Sequence, residues 1–285
     1  LETYLVRLLF CFFADDTGIF CKGQLYDYIL HTNHSDGVLT DTIMKLFAVL
    51  DRRKDDREGF SEELAEFPYI NGRMFAGELP VHPLADSVRN LLLSSQEIAW
   101  GRLSPAIFGA MFQEIMNQKT RREWGTYYTS EENIRKLIRP LFLDNLWAEF
   151  HSIKHSRHKL LAFHEKLTEL RFLDPACGCG NFLIVTYQEL RRLELEVIRN
   201  LYDMNQRVLD VGMYCRVQVS QFYGIEYEPF QAHIAKVCMW LADHQLNMEA
   251  ADAFGMYYAR IPLVQSASIV EGNALSMDWN EVVAA

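Results

Sequence analysis

At 285 residues, with 49% apolar and 23% charged side chains, the chain has room for two domains and the composition of an ordinary globular protein. No apolar run approaches the roughly 20 residues that a membrane-spanning helix requires, so such a span is excluded. A formal net charge of −10 argues against tight nucleic-acid binding over the whole surface, because phosphate contacts call for lysine and arginine. The charge is uneven, however. Residues 1–116 hold 10 basic and 17 acidic side chains, residues 117–171 hold 11 and 7, and residues 172–285 hold 7 and 14. The middle block also contains His151, His155, His158 and His164. It reads either as a segment that faces phosphate or as a solvated helix face.

In chain order, Leu1-Glu2-Thr3-Tyr4-Leu5 has no initiator Met, basic region or cleavage site. No signal peptide is expected, and the start reads as the edge of a piece of a longer protein. Leu5, Leu8, Leu9 and Phe12 fall on one helix face. Gly18, Gly23 and the stretch from His31 to Gly37 read as loops, and a second apolar helix runs from Ile43 to Leu50. The mixed-sign run from Asp51 to Glu58 is expected on the solvated surface. A turn-rich crossing follows from Phe67 to Gly72, and Pro80 and Pro83 bound a loop. Helical spacing then resumes over Val88–Trp100 and Ile107–Met116, which gives a helical domain over residues 1–116.

From about Thr120 the pattern changes. Thr129-Ser130-Glu131-Glu132 is a capping box with Thr129 as the expected cap. Ile134, Leu137, Ile138 and Leu141 mark the buried face of the helix that follows, and Pro140 is expected to kink it. Short strands are predicted at 171–174, 222–226 and 268–271, separated by helices over 182–203 and 229–246. Alternating strands and helices indicate βαβ units and a doubly wound parallel sheet in residues 117–285. Cys11, Cys21 and Cys238 sit among apolar neighbours, and the spacing of Cys177 and Cys179 is not that of a zinc knuckle. No metal site is expected, and the cysteines suit a reducing cytoplasm.

The sharpest motif is Phe172-Leu173-Asp174-Pro175-Ala176-Cys177-Gly178-Cys179-Gly180-Asn181-Phe182. A short strand enters a tight turn and then a helix, and the glycines allow the backbone to come close to a ligand. Asp174 ends the strand where open α/β sheets bind ligands, and a carboxylate there suits a cation better than a phosphate. Glycine spacing of the G-x-G-x-x-G type is absent, which argues against a nicotinamide dehydrogenase. Glu226 in Phe222-Tyr223-Gly224-Ile225-Glu226-Tyr227 ends the second strand, as an acceptor for ribose hydroxyls or as a surface carboxylate. It follows the glycine loop by more than twice the usual spacing of about 20 residues. Asn273 in Glu271-Gly272-Asn273-Ala274-Leu275 follows the third strand, either as a reader of an adenine edge or as a turn residue.

Taken together, these residues resemble the amino-methyltransferases of DNA, most closely the MmeI-like type II restriction–modification enzymes and related phage-defence methyltransferases. The DPACGCGNF string resembles motif I of that family, YGIEY motif II and EGNAL motif III, and Gly125-Thr126-Tyr127-Tyr128-Thr129-Ser130 resembles motif X. The early stretch LLFCFFADDTGIF and the later FPYINGRMF resemble the family's helical spacer. The resemblance implies a partial Rossmann-like, S-adenosylmethionine-dependent fold behind an all-α domain. It also implies methyl transfer to adenine N6 in double-stranded DNA by the parent. Tyr127 and Thr129 should lie near the methionine moiety of the cofactor, and Asp174, Ala176 and Gly178 should bind its amino-acid part. Glu226 should hold the ribose and Asn273 the adenine, although many relatives have Asp at the last position. The family's catalytic Asn/Asp-Pro-Pro-aromatic motif has no counterpart here, since the sequence contains no Pro-Pro pair. The chain is therefore expected to bind cofactor without methylating. Transfer to cytosine N4, RNA or protein, and a non-catalytic interaction module, are the alternatives.

Overall fold

The computed structural model describes residues 2–32, 35, 37–70, 74–77, 79, 83–115, 129–202, 214–254 and 267–284. The chain divides into two compact units, Leu1–Leu103 and Ser104–Ala285.

The first unit is helical: α1 (Glu2–Asp16), α2 (Gln24–Leu30), α3 (Val38–Leu50), α4 (Glu62–Ala65) and α5 (Ser87–Ser95), with a 3₁₀ turn at Trp100–Arg102. Helix α1 is enclosed nearly all round. Tyr4, Val6, Phe10, Cys11 and Phe13 are buried, whereas the expected face holds only Leu8 and Phe12 fully and leaves Leu5 and Leu9 half-buried. A single stripe therefore understates how deeply this helix is buried. Edge-to-face aromatic pairs tie the core together, with Tyr4 on Phe47 at 5.3 Å and Phe20 on Phe67 at 5.1 Å between ring centroids.

Three buried arginines hold the connecting segments by donating to backbone carbonyls. Arg7 Nε donates to Met74 O at 2.9 Å, and Arg89 Nη1 donates to Ile29 O at 2.7 Å. Arg57 donates to the carbonyls of Val49, Arg52, Ala65 and Phe67. The mixed-sign run is thus not solvated throughout: Arg57 within it is 5% exposed, because four backbone carbonyls converge on its guanidinium. Cys21 likewise departs from expectation and is exposed.

The second unit begins with α6 (Pro105–Ile115), which packs against the two longest helices of that unit. The division by packing thus falls before α6, whereas the sequence pattern places it at residue 116. Next come α7 (Glu131–Ile138), a π-helical turn (Arg139–Leu143), α8 (Asp144–Ile153) and α9 (Arg157–Glu169). Ser130, not Thr129, caps α7, accepting from Asn133 N at 3.4 Å. The π-turn is the bend expected at Pro140, which has no N–H for the helical ladder. It also shifts the register of everything downstream. Ile134, Ile138 and Leu143 are buried, while Leu137 and Leu141, expected inside, are 58% and 75% exposed.

The sheet follows as β1 (Phe172–Asp174), α10 (Asn181–Leu201), β2 (Phe222–Glu226), α11 (Pro229–Phe254), β3 (Ser268–Glu271) and α12 (Trp279–Ala284). All three strands are parallel in the order β1-β2-β3, with Asp174 paired to Gly224 and Glu226 to Glu271. This is part of a Rossmann-like sheet, preceded in the chain by a helical unit. Alternation along β2 sorts the two faces. Phe222 meets Tyr187 of α10 edge-on at 5.2 Å, whereas Tyr223 and Ile225 pack with Val282 of α12.

Candidate functional site

The two loops that leave β1 and β2 at their carboxyl ends are joined by backbone and side-chain hydrogen bonds. Cys177 N donates to Ile225 O at 3.1 Å, and Gly180 N donates to Cys177 O at 2.8 Å. Gly180 adopts a left-handed φ of 84°, and a Cβ there would lie 3.2 Å from the Cβ of Ala235 on α11. A glycine is therefore required both for the turn and for the close approach. On the other side, a Cβ on Gly109 of α6 would lie 2.9 Å from Cys179 Cβ and 3.2 Å from Asn181 Oδ1. The glycine loop is wedged between two helices.

Asp174 Oδ1 accepts from Ala176 N at 3.0 Å and so bends the loop as it leaves β1. Burial lifts the pKa of this carboxyl above its ordinary range. The Ala176 N–H pulls it back, and the Glu226 carboxylate raises it again. Glu226 reaches across from β2: Oε2 accepts from Gly178 N at 2.8 Å and Oε1 from Glu228 N at 3.0 Å. A carboxylate offers about four lone-pair sites, so each oxygen retains capacity for a ligand hydroxyl. Past β3, Asn273 Oδ1 accepts from Leu275 N at 3.0 Å, which makes Asn273 a turn residue that also carries a donor amide.

These loops surround a cleft of about 740 Å³, within the range of small-molecule sites. Thr129, Ala176, Gly178, Glu226 and Asn273 all line it. Asp174 is not among the lining residues; it shapes the loop one step before them. Tyr127 lies outside the described residues.

The sequence reading did not single out Asn181, Phe182, Tyr227, Gln231 and Trp279, which also line the cleft. The first two stand inside the glycine-loop motif and Tyr227 follows Glu226, so adjacency was a usable signal. Nothing local marks Gln231 or Trp279. Asn181 is 7% exposed, and its Oδ1 is buried with no hydrogen-bond partner among the described residues. Glu226 is the one charged residue in the described lining. A cleft whose described lining holds this acid and no lysine or arginine is unsuited to a pyrophosphate and suited to a ligand carrying positive charge. Burial, with the nearby charges of Asp174 and Glu226, pushes the Cys177 thiol well above its usual pKa, so it is neutral and unreactive. Among the described residues no group of three His, Cys, Asp or Glu is placed to hold a metal.

Residues 150–285 match the family model of the MmeI DNA-methyltransferase domain, and residues 1–75 match that of the MmeI helicase spacer domain. A solved structure of the Type IIL restriction–modification enzyme MmeI in complex with DNA superposes with a TM-score of 0.90 at 52% identity. It covers 99% of this chain and 38% of its own. The chain belongs to the MmeI-like family of DNA methyltransferases. This MmeI-like chain is also 38% identical over 285 residues to DNA methyltransferase A of Bacillus subtilis (strain 168), spanning 99% of itself and 32% of that protein. It is 24% identical to a putative type II restriction enzyme and methyltransferase of Methanocaldococcus jannaschii, across 86% of itself and 25% of the relative. It therefore spans about a third or less of the curated relatives that it matches. Membership implies a methyl donor. No helix among the described residues is long and apolar enough to cross a membrane.

Proposed function

We propose that the cleft binds S-adenosylmethionine and that the parent protein is a cytoplasmic, site-specific enzyme that methylates adenine N6 in double-stranded DNA. The observation that carries this reading is the Glu226 carboxylate, bonded to Gly178 N at the mouth of a cleft whose described lining contains no basic side chain. A sulfonium nucleoside with an ammonium group matches that field. The ribose hydroxyls would donate to Glu226, whose position is fixed by the two backbone N–H groups that it already accepts. The Asn273 amide, its oxygen engaged by Leu275, would offer its N–H to a ring nitrogen of adenine. Ala176, Gly178 and Asn181 would enclose the methionine part, with Asn181 Oδ1 open to a donor, and Thr129 and Tyr127 would approach from the motif X side.

When bound, the cofactor supplies an electrophilic methyl group. This chain's residues bind it, orient it and keep the sulfonium in an acidic, partly dry setting. With no Pro-Pro motif in the sequence, we assign the grip on the flipped base, and target recognition, to other parts of the parent. Six free cysteines accord with a reducing compartment.

Calorimetry with S-adenosylhomocysteine tests the reading. Glu226→Ala removes charge-assisted hydrogen bonds worth about 1.5–3 kcal/mol each, so affinity should fall roughly tenfold to a hundredfold. Unchanged affinity in Glu226→Ala would remove the nucleoside from this cleft.

A further inference from the structure

Three large apolar side chains stand open to solvent on the wall of the cleft. Tyr227 is 64% exposed, Leu275 94% and Trp279 43%, and all three are lining residues. A single exposed apolar side chain needs no explanation. Several gathered at the mouth of a small-molecule cleft mark a surface that a ligand covers.

The ring of Trp279 is held in place. Its indole Nε1 donates to Ala274 O at 2.7 Å. The turn beneath it is closed step by step: Gly272 N donates to Glu226 O at 2.9 Å, Asn273 Oδ1 accepts from Leu275 N, and Asn273 O accepts from Ser276 N at 2.9 Å. Asp278 Oδ1 then accepts from Asn280 N at 2.9 Å and starts α12. Val282 stands at i+3 from Trp279 on that helix and packs on Tyr223 and Ile225 of β2, so the side of α12 that grips the sheet also carries the indole. Indole has one donor and no acceptor, and here the donor is already engaged. What Trp279 has left to offer a ligand is the flat, apolar face of a fixed ring.

Strand order decides which part of the cofactor that ring meets. The glycine loop leaves β1, Glu226 ends β2 and the turn of Trp279 leaves β3, and the strands lie side by side in that order. With the methionine part at the glycine loop and the ribose at Glu226, the base falls at the third turn. We propose that the indole face of Trp279 is the platform on which the adenine ring of the cofactor stacks. Asn273, on the same turn, meets the edge of the base in its plane, and Trp279 covers its face. The proposal rests on the cofactor reading given above and adds to it a binding residue outside the glycine loop and the β2 acid.

The test uses the 285-residue chain, S-adenosylhomocysteine and two variants. Trp279→Leu keeps apolar bulk over the turn and removes the aromatic face, whereas Trp279→Phe keeps a face and removes the indole donor. Loss of base–aromatic stacking lowers affinity by about fivefold to a hundredfold. By calorimetry the Leu variant should therefore bind about fivefold more weakly or worse, and the Phe variant should lie between it and the wild type. A side chain that served only to pack the turn would not be rescued by a ring in this way. Fluorescence supplies a second readout, because a stacked base quenches indole emission. The chain has five tryptophans, so the signal is read as a difference: the fall in emission on saturation should be clearly smaller in Trp279→Phe than in the wild type. Thermal melting without ligand checks that each variant is folded, and if Trp279→Leu is unstable the emission of Trp279→Phe still decides. Equal affinity in all three proteins, or an equal fall in emission in wild type and Trp279→Phe, would overturn the proposal. Binding that is lost in Glu226→Ala but unchanged in Trp279→Leu would remove the platform and leave the cofactor reading standing. A wild-type chain that binds no S-adenosylhomocysteine would instead remove that reading, and the platform with it.

Discussion

The glycine loop of the second unit and the helical core of the first are held by opposite means. Between Asp174 and Asn181 the fold is written in backbone: a left-handed turn at Gly180, an N–H from Gly178 to Glu226, and an N–H from Cys177 to Ile225. Between α1 and α5 it is written in side chains that meet across long stretches of sequence, such as Arg57 gathering four carbonyls and Tyr4 meeting Phe47. A backbone-determined region tolerates almost no change in residue type at a few positions. A packing-determined region tolerates many changes but fails sharply where a buried polar group is lost.

The largest effect should come from the helical unit. Arg57→Ala strands several buried carbonyls, each worth about 1–3 kcal/mol, so a loss of at least about 3 kcal/mol is expected as a lower urea midpoint. A loss below 1 kcal/mol would mean that the guanidinium only decorates the surface. Next comes Gly180→Ala, which forces a side chain into the left-handed region at a cost of about 1–2 kcal/mol and presses on Ala235. Here affinity for S-adenosylhomocysteine should fall by more than the stability loss alone explains, because the loop itself moves. Stability and affinity falling in step would show that the turn is scaffold only.

Asp174→Asn should show the smallest change and the opposite sign. An acid whose folded pKa is raised holds its proton more tightly folded than unfolded, so the native state loses stability as pH climbs from the ordinary aspartate value to the folded one. The amide keeps an acceptor for Ala176 and removes that cost. The variant should therefore melt higher at pH 7, with the gain closing below about pH 4. It should also bind the cationic nucleoside more weakly, and thermal melts across pH with and without ligand check both statements.

The same contrast explains what could be read in advance. Strands 222–226 and 268–271 match expectation residue for residue because short apolar runs that end in an acid are local signals. Pro140 announced a bend, but that the bend is a π-turn burying Leu143 in place of Leu141 depends on how the helix packs. Ser130 takes the cap from Thr129 because the first helical residue is set one place later than the capping-box pattern suggests. Arg57 lay within a run of like surface residues and carried no mark of burial. In the cleft, Ala176, Gly178, Glu226 and Asn273 were legible from motif order, while Gln231 and Trp279 arrive from distant elements and leave no trace in spacing.

One more consequence lies in the crossover between β1 and β2. The rings of Tyr202 and Tyr214 meet at 4.3 Å, so the chain leaves and returns through almost the same point. Just past the return, Arg216 N and Val217 N dock onto the buried Glu194 carboxylate at 2.6 and 2.8 Å, and Gln221 Nε2 donates to Leu167 O and Leu170 O. The start of β2 is thereby moored independently of whatever lies between the two tyrosines. Those contacts fix the start of β2, and through the strand the position of Glu226. This is how the acid stays in register although far more chain than usual separates it from the glycine turn.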